Sequence, residues 1–205
     1  MIPTETIEVQ TQPVIYPESD GKPMAETDIH RQEMMDTIAT LTEYFRERAD
    51  VYVAGNLLLY YKEGYPKKCV APDVFVVFGI ERKLRRTYKL WEERVAPQVV
   101  FEISSASTRQ DDLGHKRQLY TRLGVAEYFL YDPLGEYLQP PLQGLRLHEG
   151  IYAPIPTEAD GSLVSQVLGM RVMIEADRLR LVEATSGTRL LRPAEVAEAH
   201  RLAEQ

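Results

Sequence analysis

The sequence predicts an α/β fold: a mixed central β-sheet flanked by α-helices, with a β-hairpin and a helix beyond it towards the C-terminus. Three observations carry this. Residues 29–48 contain no Gly or Pro and repeat apolar residues at helical spacing. Two short, nearly unbroken apolar runs, APDVFVVFG and PQVVFEIS, have the form of central strands covered on both faces. Near the end of the chain, MRVMIEA and RLRLVEA form a pairable couple, and Pro193 then opens an amphipathic helix over residues 194–204.

Taken in order, residues 1–26 read as an extended arm, because Pro13, Pro17, Gly21 and Pro23 are too closely spaced for a helix. Thr27 or Asp28 caps the first helix, whose apolar face is Met34, Ile38, Leu41 and Phe45. VYVAGNLLLYY changes the period to that of strands, and Gly55-Asn56 within it predicts a hairpin. The stretch 81–96 reads as irregular or helical. Thr108 to Leu123 predicts a second helix, stopped at Gly124 by a left-handed cap, and AEYFLYD a further strand. The expected organisation is an arm over residues 1–26, a core domain over 27–175 and a hairpin and helical tail over 176–205.

At 205 residues the chain is long enough for one substantial core, and 44% hydrophobic with 27% charged residues is ordinary for a globular protein. The lone Cys69 excludes an intramolecular disulfide framework and any multi-thiolate zinc site, and fits a reducing, cytoplasmic address. The first residues lack the basic and apolar regions of a signal peptide, and no apolar run has the length a bilayer needs. A net charge of −7 argues against a broadly basic nucleic-acid-binding surface. Locally the balance reverses: Arg82, Lys83, Arg85, Arg86, Lys89 and Arg94 face only Glu92 and Glu93, so a solvated basic face, or less readily a DNA contact, is expected there.

Strand alternation places Val100, Glu102 and Ser104 on one face of PQVVFEIS and Val99, Phe101 and Ile103 on the other. Glu102 thus stands mid-strand in a core-like run, where an ionised carboxylate needs a cation, a metal or a proton. Asp73 raises the same question at the entrance of the other apolar strand. Lys116 falls on the helical stripe of Leu113, Tyr120 and Leu123 and interrupts it. A helix that follows the Glu102 strand folds back onto the sheet and carries this ammonium towards the two acids. Two acids, the Ile103 carbonyl and a lysine would suit a hard divalent cation, Mg²⁺ or Mn²⁺ in its place, acting on a phosphodiester. Lys116 would stabilise developing charge, or act as a base if burial depressed its pKa.

The strings APDVFVVFG, VVFEISSAST, DLGHKRQLY and GVAEYFLYDP resemble, in this order, the Uma-two family of predicted restriction endonucleases, a bacterial branch of the PD-(D/E)XK nuclease superfamily. YPESDGKPMAE is similar to the arm of one subgroup. The likeness runs from Tyr16 to Asp132 and weakens afterwards. It implies a restriction-endonuclease-like fold, Mg²⁺-dependent endonucleolytic cleavage of DNA and a homodimer. Pro72-Asp73 matches the PD element and Glu102 the acid of the second half-motif. Ser104 stands where the superfamily has lysine, and Lys116 resembles the migrated lysine of this branch. Glu26 resembles an acid that some members carry at the first helix.

Blander readings stand beside these. Asp73 would otherwise be a turn acid after Pro72, Glu102 a solvent-facing residue of an edge strand, and Lys116 a snorkelling surface lysine. His30, His115, His148 and His200 show no metal-ligand spacing and read as surface or ordinary hydrogen-bonding residues. Ser104, Ser105, Ser107 and Thr108 lack a nucleophile elbow and read as turn and cap residues. For the whole chain, the rivals are a decayed nuclease-fold module that binds nucleic acid or a protein partner, and a metal-dependent hydrolase with another substrate.

Overall fold

The structure, a computed structural model, describes residues 14–19, 21 and 27–204. Most of the predicted arm, with Glu26, lies outside the described residues. Of the arm's described part, Tyr16 packs edge-on against Tyr60 and beside Trp91, while the Tyr60 hydroxyl donates to the Pro17 carbonyl at 2.5 Å.

Helix α1 is Asp28–Tyr44, and the Thr27 side chain caps it by accepting the His30 N–H at 3.1 Å. The helix stops short of the predicted Arg48. The chain beyond Phe45 tightens into a turn, with Arg48 N–H on the Phe45 carbonyl. Met34, Leu41 and Phe45 are buried as their spacing predicts, with Ile38 packed beside them.

The strands that follow are β1 (Val51–Ala54), β2 (Leu59–Tyr60), β3 (Cys69–Val70), β4 (Val74–Phe78) and β5 (Tyr88–Lys89), the last leading into the short helix α2 (Leu90–Glu93). Next come β6 (Val99–Ile103), the helical run 109–123, and β7 (Glu127–Tyr131), β8 (Leu142–His148) and β9 (Ile151–Pro154). A six-stranded sheet has the order β1-β4-β6-β7-β8-β9, with β6 and β7 parallel and every other pair antiparallel. Parallel neighbours need a crossover, and the helical run between them supplies it. The mixed sheet, its helices and the later hairpin are the predicted fold class.

The predicted hairpin at Gly55-Asn56 does not form. β1 pairs with β4, whereas β2 joins β3 and β5 in a separate small sheet. The dipeptide brings the chain against Pro72-Asp73 instead of reversing it: a Cβ on Gly55 would lie 2.0 Å from the Asp73 carbonyl oxygen. Asn56, at φ 48°, donates its N–H to the Pro72 carbonyl at 2.8 Å.

The sheet separates two apolar cores. Val74, Val76, Val99, Phe101 and Ile103 face α1 and the C-terminal sheet β10 (Leu163–Ser165), β11 (Met170–Glu175) and β12 (Arg178–Glu183). Phe75, Val77 and Val100 face Leu119, Tyr120 and Tyr128. This is the alternation read from the two apolar runs. β11 and β12 pair through six residues as the expected hairpin, and α3 to α5 complete the helices, with α5 (Pro193–Ala203) opened by Pro193. Here α3 is Arg109–Asp111 and α4 is Arg117–Leu123, joined by a π-helical turn over Asp112–Lys116.

Candidate active site

Because β4 and β6 are antiparallel, the start of one meets the end of the other, and Asp73 and Glu102 share one edge of the sheet. Glu102 is fully buried in an interior strand, which removes the edge-strand reading. Its Oε1 accepts the Tyr120 hydroxyl at 2.5 Å; its Oε2 accepts Lys116 Nζ at 2.9 Å and the Asp73 N–H at 3.3 Å. Asp73 Oδ2 accepts the Ile103 N–H at 2.7 Å and lies 3.2 Å from His30 Nε2. Asp73, Glu102 and Lys116 therefore come together, Ile103 joins them through its N–H rather than the carbonyl singled out from sequence, and Glu26 lies outside the described residues.

Two residues that spacing did not single out complete the cluster. Asp112, buried, holds Lys116 Nζ on Oδ1 at 2.8 Å and accepts the Ser104 hydroxyl on Oδ2 at 3.0 Å. His30, read as a surface or ordinary hydrogen-bonding residue, is buried beside Asp73, because the first turn of α1 packs over the sheet edge. An acid four residues before a lysine on a helix was a readable signal for Asp112. His30 carried none, since its partner is distant in sequence.

The helical run departs from a plain α-helix where chemistry gathers. A regular helix would place Leu113 on the buried stripe with Lys116, Tyr120 and Leu123, but Leu113 is 41% exposed. The wider π-turn rotates Asp112 inward and Leu113 outward, and such turns concentrate at functional sites. The Tyr128 hydroxyl donates to the Asp112 carbonyl at 3.0 Å and so pins the turn to β7. Downstream the helix ends at Gly124, φ 77°, as predicted. At its start Ser105 and Thr108 cap each other, each hydroxyl accepting the other's N–H.

Burial raises the Glu102 carboxyl well above the ordinary glutamate range; Lys116 opposes this, while Asp73 and Asp112 add to it. Asp112 is raised for the same first reason, with Lys116 again opposing. For Lys116, burial works to lower the pKa, but Glu102, Asp112 and Asp73 outweigh it and leave the group above the ordinary lysine value. In the metal-free cluster the direction is therefore opposite to the depressed, basic lysine entertained from sequence.

The chemistry of the donors fits a hard divalent cation. Glu102 and Asp112 flank the Lys116 ammonium, while Asp73 donates its N–H to Glu102 and its carboxylate lies beside His30, so three acids stand with one lysine and one histidine. Among the described residues no three His, Cys, Asp or Glu side chains form a ready metal cage. Mg²⁺ characteristically takes one or two carboxylates with waters and substrate oxygens rather than such a cage. Asp73, 14% exposed, gives the cluster its opening to solvent, with Lys116 at 13% beside it.

A family model named Uma2 and described as "Putative restriction endonuclease" matches residues 7–178. The chain belongs to this family. As a Uma2 member it also shares the fold of a solved structure described as "a putative nuclease belonging to DUF820" from Anabaena variabilis. The TM-score is 0.52 and the identity 14%, covering 72% of this chain and 76% of that one. No curated protein matches. For this Uma2 chain, family and fold together make it restriction-endonuclease-like, and the four strings that carry the resemblance include every residue of the cluster except His30.

The basic stretch is largely a solvated face whose charges are paired within the chain. Arg85 is buried against Glu93 at 2.7 Å and lies over the Tyr52 ring; Lys83 pairs with Glu81, Arg86 with Glu18 and Lys89 with Glu92. Most of its charge is neutralised within the chain, so it is not a free cationic strip. Among the described residues, no helix is long and apolar enough to cross a membrane.

Proposed function

We propose that this chain is an endonuclease that hydrolyses DNA phosphodiester bonds with Mg²⁺, or Mn²⁺ in its place. Asp73 and Glu102 would hold the cation, with the Ile103 carbonyl as a further oxygen donor. The observation that carries the reading is the convergence of two strand-borne acids and a helix-borne ammonium at one sheet edge, with negative charge in excess. Bound there, the cation would neutralise phosphate charge and lower the pKa of a coordinated water.

The chain's own groups have distinct work. Asp73 is anchored by the Ile103 N–H, so its position is set by the β6 backbone rather than by a flexible partner. Tyr120 fixes Glu102 Oε1 and leaves Oε2 on the side of Lys116 and Asp73. Lys116, paired with Glu102 and Asp112, is suited to stabilise negative charge on the phosphate in the transition state. A homodimer, giving one site to each strand of a duplex, accompanies this proposal, and sedimentation of the purified protein checks it.

Incubation of the purified protein with supercoiled plasmid and Mg²⁺ tests the reading. Nicked or linear product is expected. Asp73→Ala and Glu102→Ala should each lower its rate by at least about 10²–10³-fold, the loss usual on removing one preorganised electrostatic group. Calorimetric Mg²⁺ binding that survives both substitutions would remove the metal assignment. DNA binding without cleavage by the wild type would favour the decayed-module alternative.

A further inference from the structure

We infer that Ser104 and Asp112 are positioning residues that aim the Lys116 ammonium at the scissile phosphate, through a continuous chain of contacts running Ser104, Asp112, Lys116, Glu102. The inference rests on the proposed nuclease reading and names parts of that site which the strand acids and lysine alone do not include. Its ground is geometric. A lysine at the end of four methylenes has no preferred direction of its own, and its ammonium offers three donors. Here one donates to Glu102 Oε2 at 2.9 Å, and the ammonium also lies 2.8 Å from Asp112 Oδ1 as an ion pair. A hydrogen bond on one side and an ion pair on the other confine where the ammonium sits, which neither carboxylate does alone.

Asp112 is in turn held from two sides. Its Oδ2 accepts the Ser104 hydroxyl at 3.0 Å, which ties it to the strand that carries Glu102, and its carbonyl accepts Tyr128 at 3.0 Å, which ties it to β7. One carboxylate oxygen is thus held by Ser104 and the other faces the Lys116 ammonium. A further buried acid in a cluster already short of positive charge is costly to the fold. Helix formation does not require it there, and the π-turn is the departure that brings it inward. The cost is explained if the acid serves to hold the lysine.

Two readouts test this, one of which needs no catalysis. Asp112→Asn keeps the size of the side chain and an oxygen for Ser104 but gives up the charge that holds the ammonium. In plasmid cleavage it should lower kcat by about 10–100-fold, the usual effect of losing a group that orients a catalytic one, while KM for DNA changes by less than about 2-fold. In ¹⁵N NMR of the metal-free protein, the wild-type ammonium of Lys116, assigned by its loss in Lys116→Met, should give a resolved, slowly exchanging signal. Asp112→Asn should broaden it away, and Ser104→Ala should speed its exchange.

Persistence of the signal in Asp112→Asn with unchanged exchange overturns the inference, whatever the activity. If Asp112→Asn does not fold, Ser104→Ala decides, and an unchanged exchange rate there overturns it equally. Loss of the signal in Asp112→Asn, with a wild type that does not cut DNA, supports the positioning chain while the nuclease reading fails.

Discussion

Two charged clusters lie on opposite sides of the central sheet and are built to different rules. On the α1 side, Glu33 and Asp36 meet Arg178, while Arg180 spans Glu175 at 2.8 Å and Glu195 at 2.5 Å. Arg189 reaches Glu175 and Arg192 donates to the Leu179 carbonyl, so arginines match acids one for one. On the helical side, Glu102 and Asp112 share a single lysine, and Asp73 beside them faces His30. Both clusters bury charge. The first matches its acids with arginines and ties the C-terminal segment to the core, whereas the second has more acids than lysines, the surplus that the proposed Mg²⁺ would offset.

The strongest break in that comparison is removal of each cluster's cation. Lys116→Met strands Glu102 and Asp112 where no water reaches them, and should cost about 3–5 kcal/mol in metal-free buffer. Mg²⁺ should return part of it, since a divalent ion restores the missing charge. Arg180→Met frees Glu175 and Glu195, both partly exposed and able to rehydrate, so about 1–3 kcal/mol is expected, with no recovery on adding Mg²⁺. Urea denaturation with and without the ion measures both. Equal recovery in the two variants would show that the imbalance has no bearing on metal.

Gly55→Ala sharpens the contrast by moving one acid without touching its charge. The added Cβ would fall 2.0 Å from the Asp73 carbonyl oxygen and 2.6 Å from Ile38 Cδ1, so backbone must shift. A loss of about 1–3 kcal/mol is expected, together with reduced plasmid cleavage. A variant that destabilises this much yet cleaves at the wild-type rate would mean that the placement of Asp73 is not critical.

The smallest effect is in pH. Glu102 and Asp112 titrate above their unfolded values, so the folded protein holds those protons more tightly, and metal-free stability should fall as pH rises from about 4.5 through the raised window. Glu195 has the opposite sign. Its carboxyl is lowered to about 2, chiefly by Arg180, so its contribution is present above the unfolded value and is lost as pH falls towards 2. Thermal midpoints in chelator should therefore peak at mildly acidic pH, and saturating Mg²⁺ should move the peak towards neutrality. A peak that stays in place with Mg²⁺ would separate the ion from Glu102.

Much of this was legible because local rules act over short distances. Period-two alternation placed Glu102 opposite Phe101, helical spacing turned Lys116 towards the sheet, and Gly124 ended its helix, each within one element. Gly55-Asn56 misled because a turn dipeptide reports local backbone freedom and not what the chain turns against. Leu113 misled because the π-turn over Asp112–Lys116 breaks the register between it and the later positions of the stripe, and nothing in a 3.6-residue period announces that.

The sequence by itself determined which strands are central, which acids interrupt them and which helix returns over them, since these follow from hydrophobic period and chain order. Only the tertiary structure decided that His30 joins Asp73 across the sheet edge, that Asp112 stands between Ser104 and Lys116, and that the basic stretch is neutralised by Glu18, Glu81, Glu92 and Glu93. The physical reason is common to all three. Whether a charge is free, paired or unbalanced depends on which distant groups lie within a few ångströms of it, and spacing along the chain does not encode that.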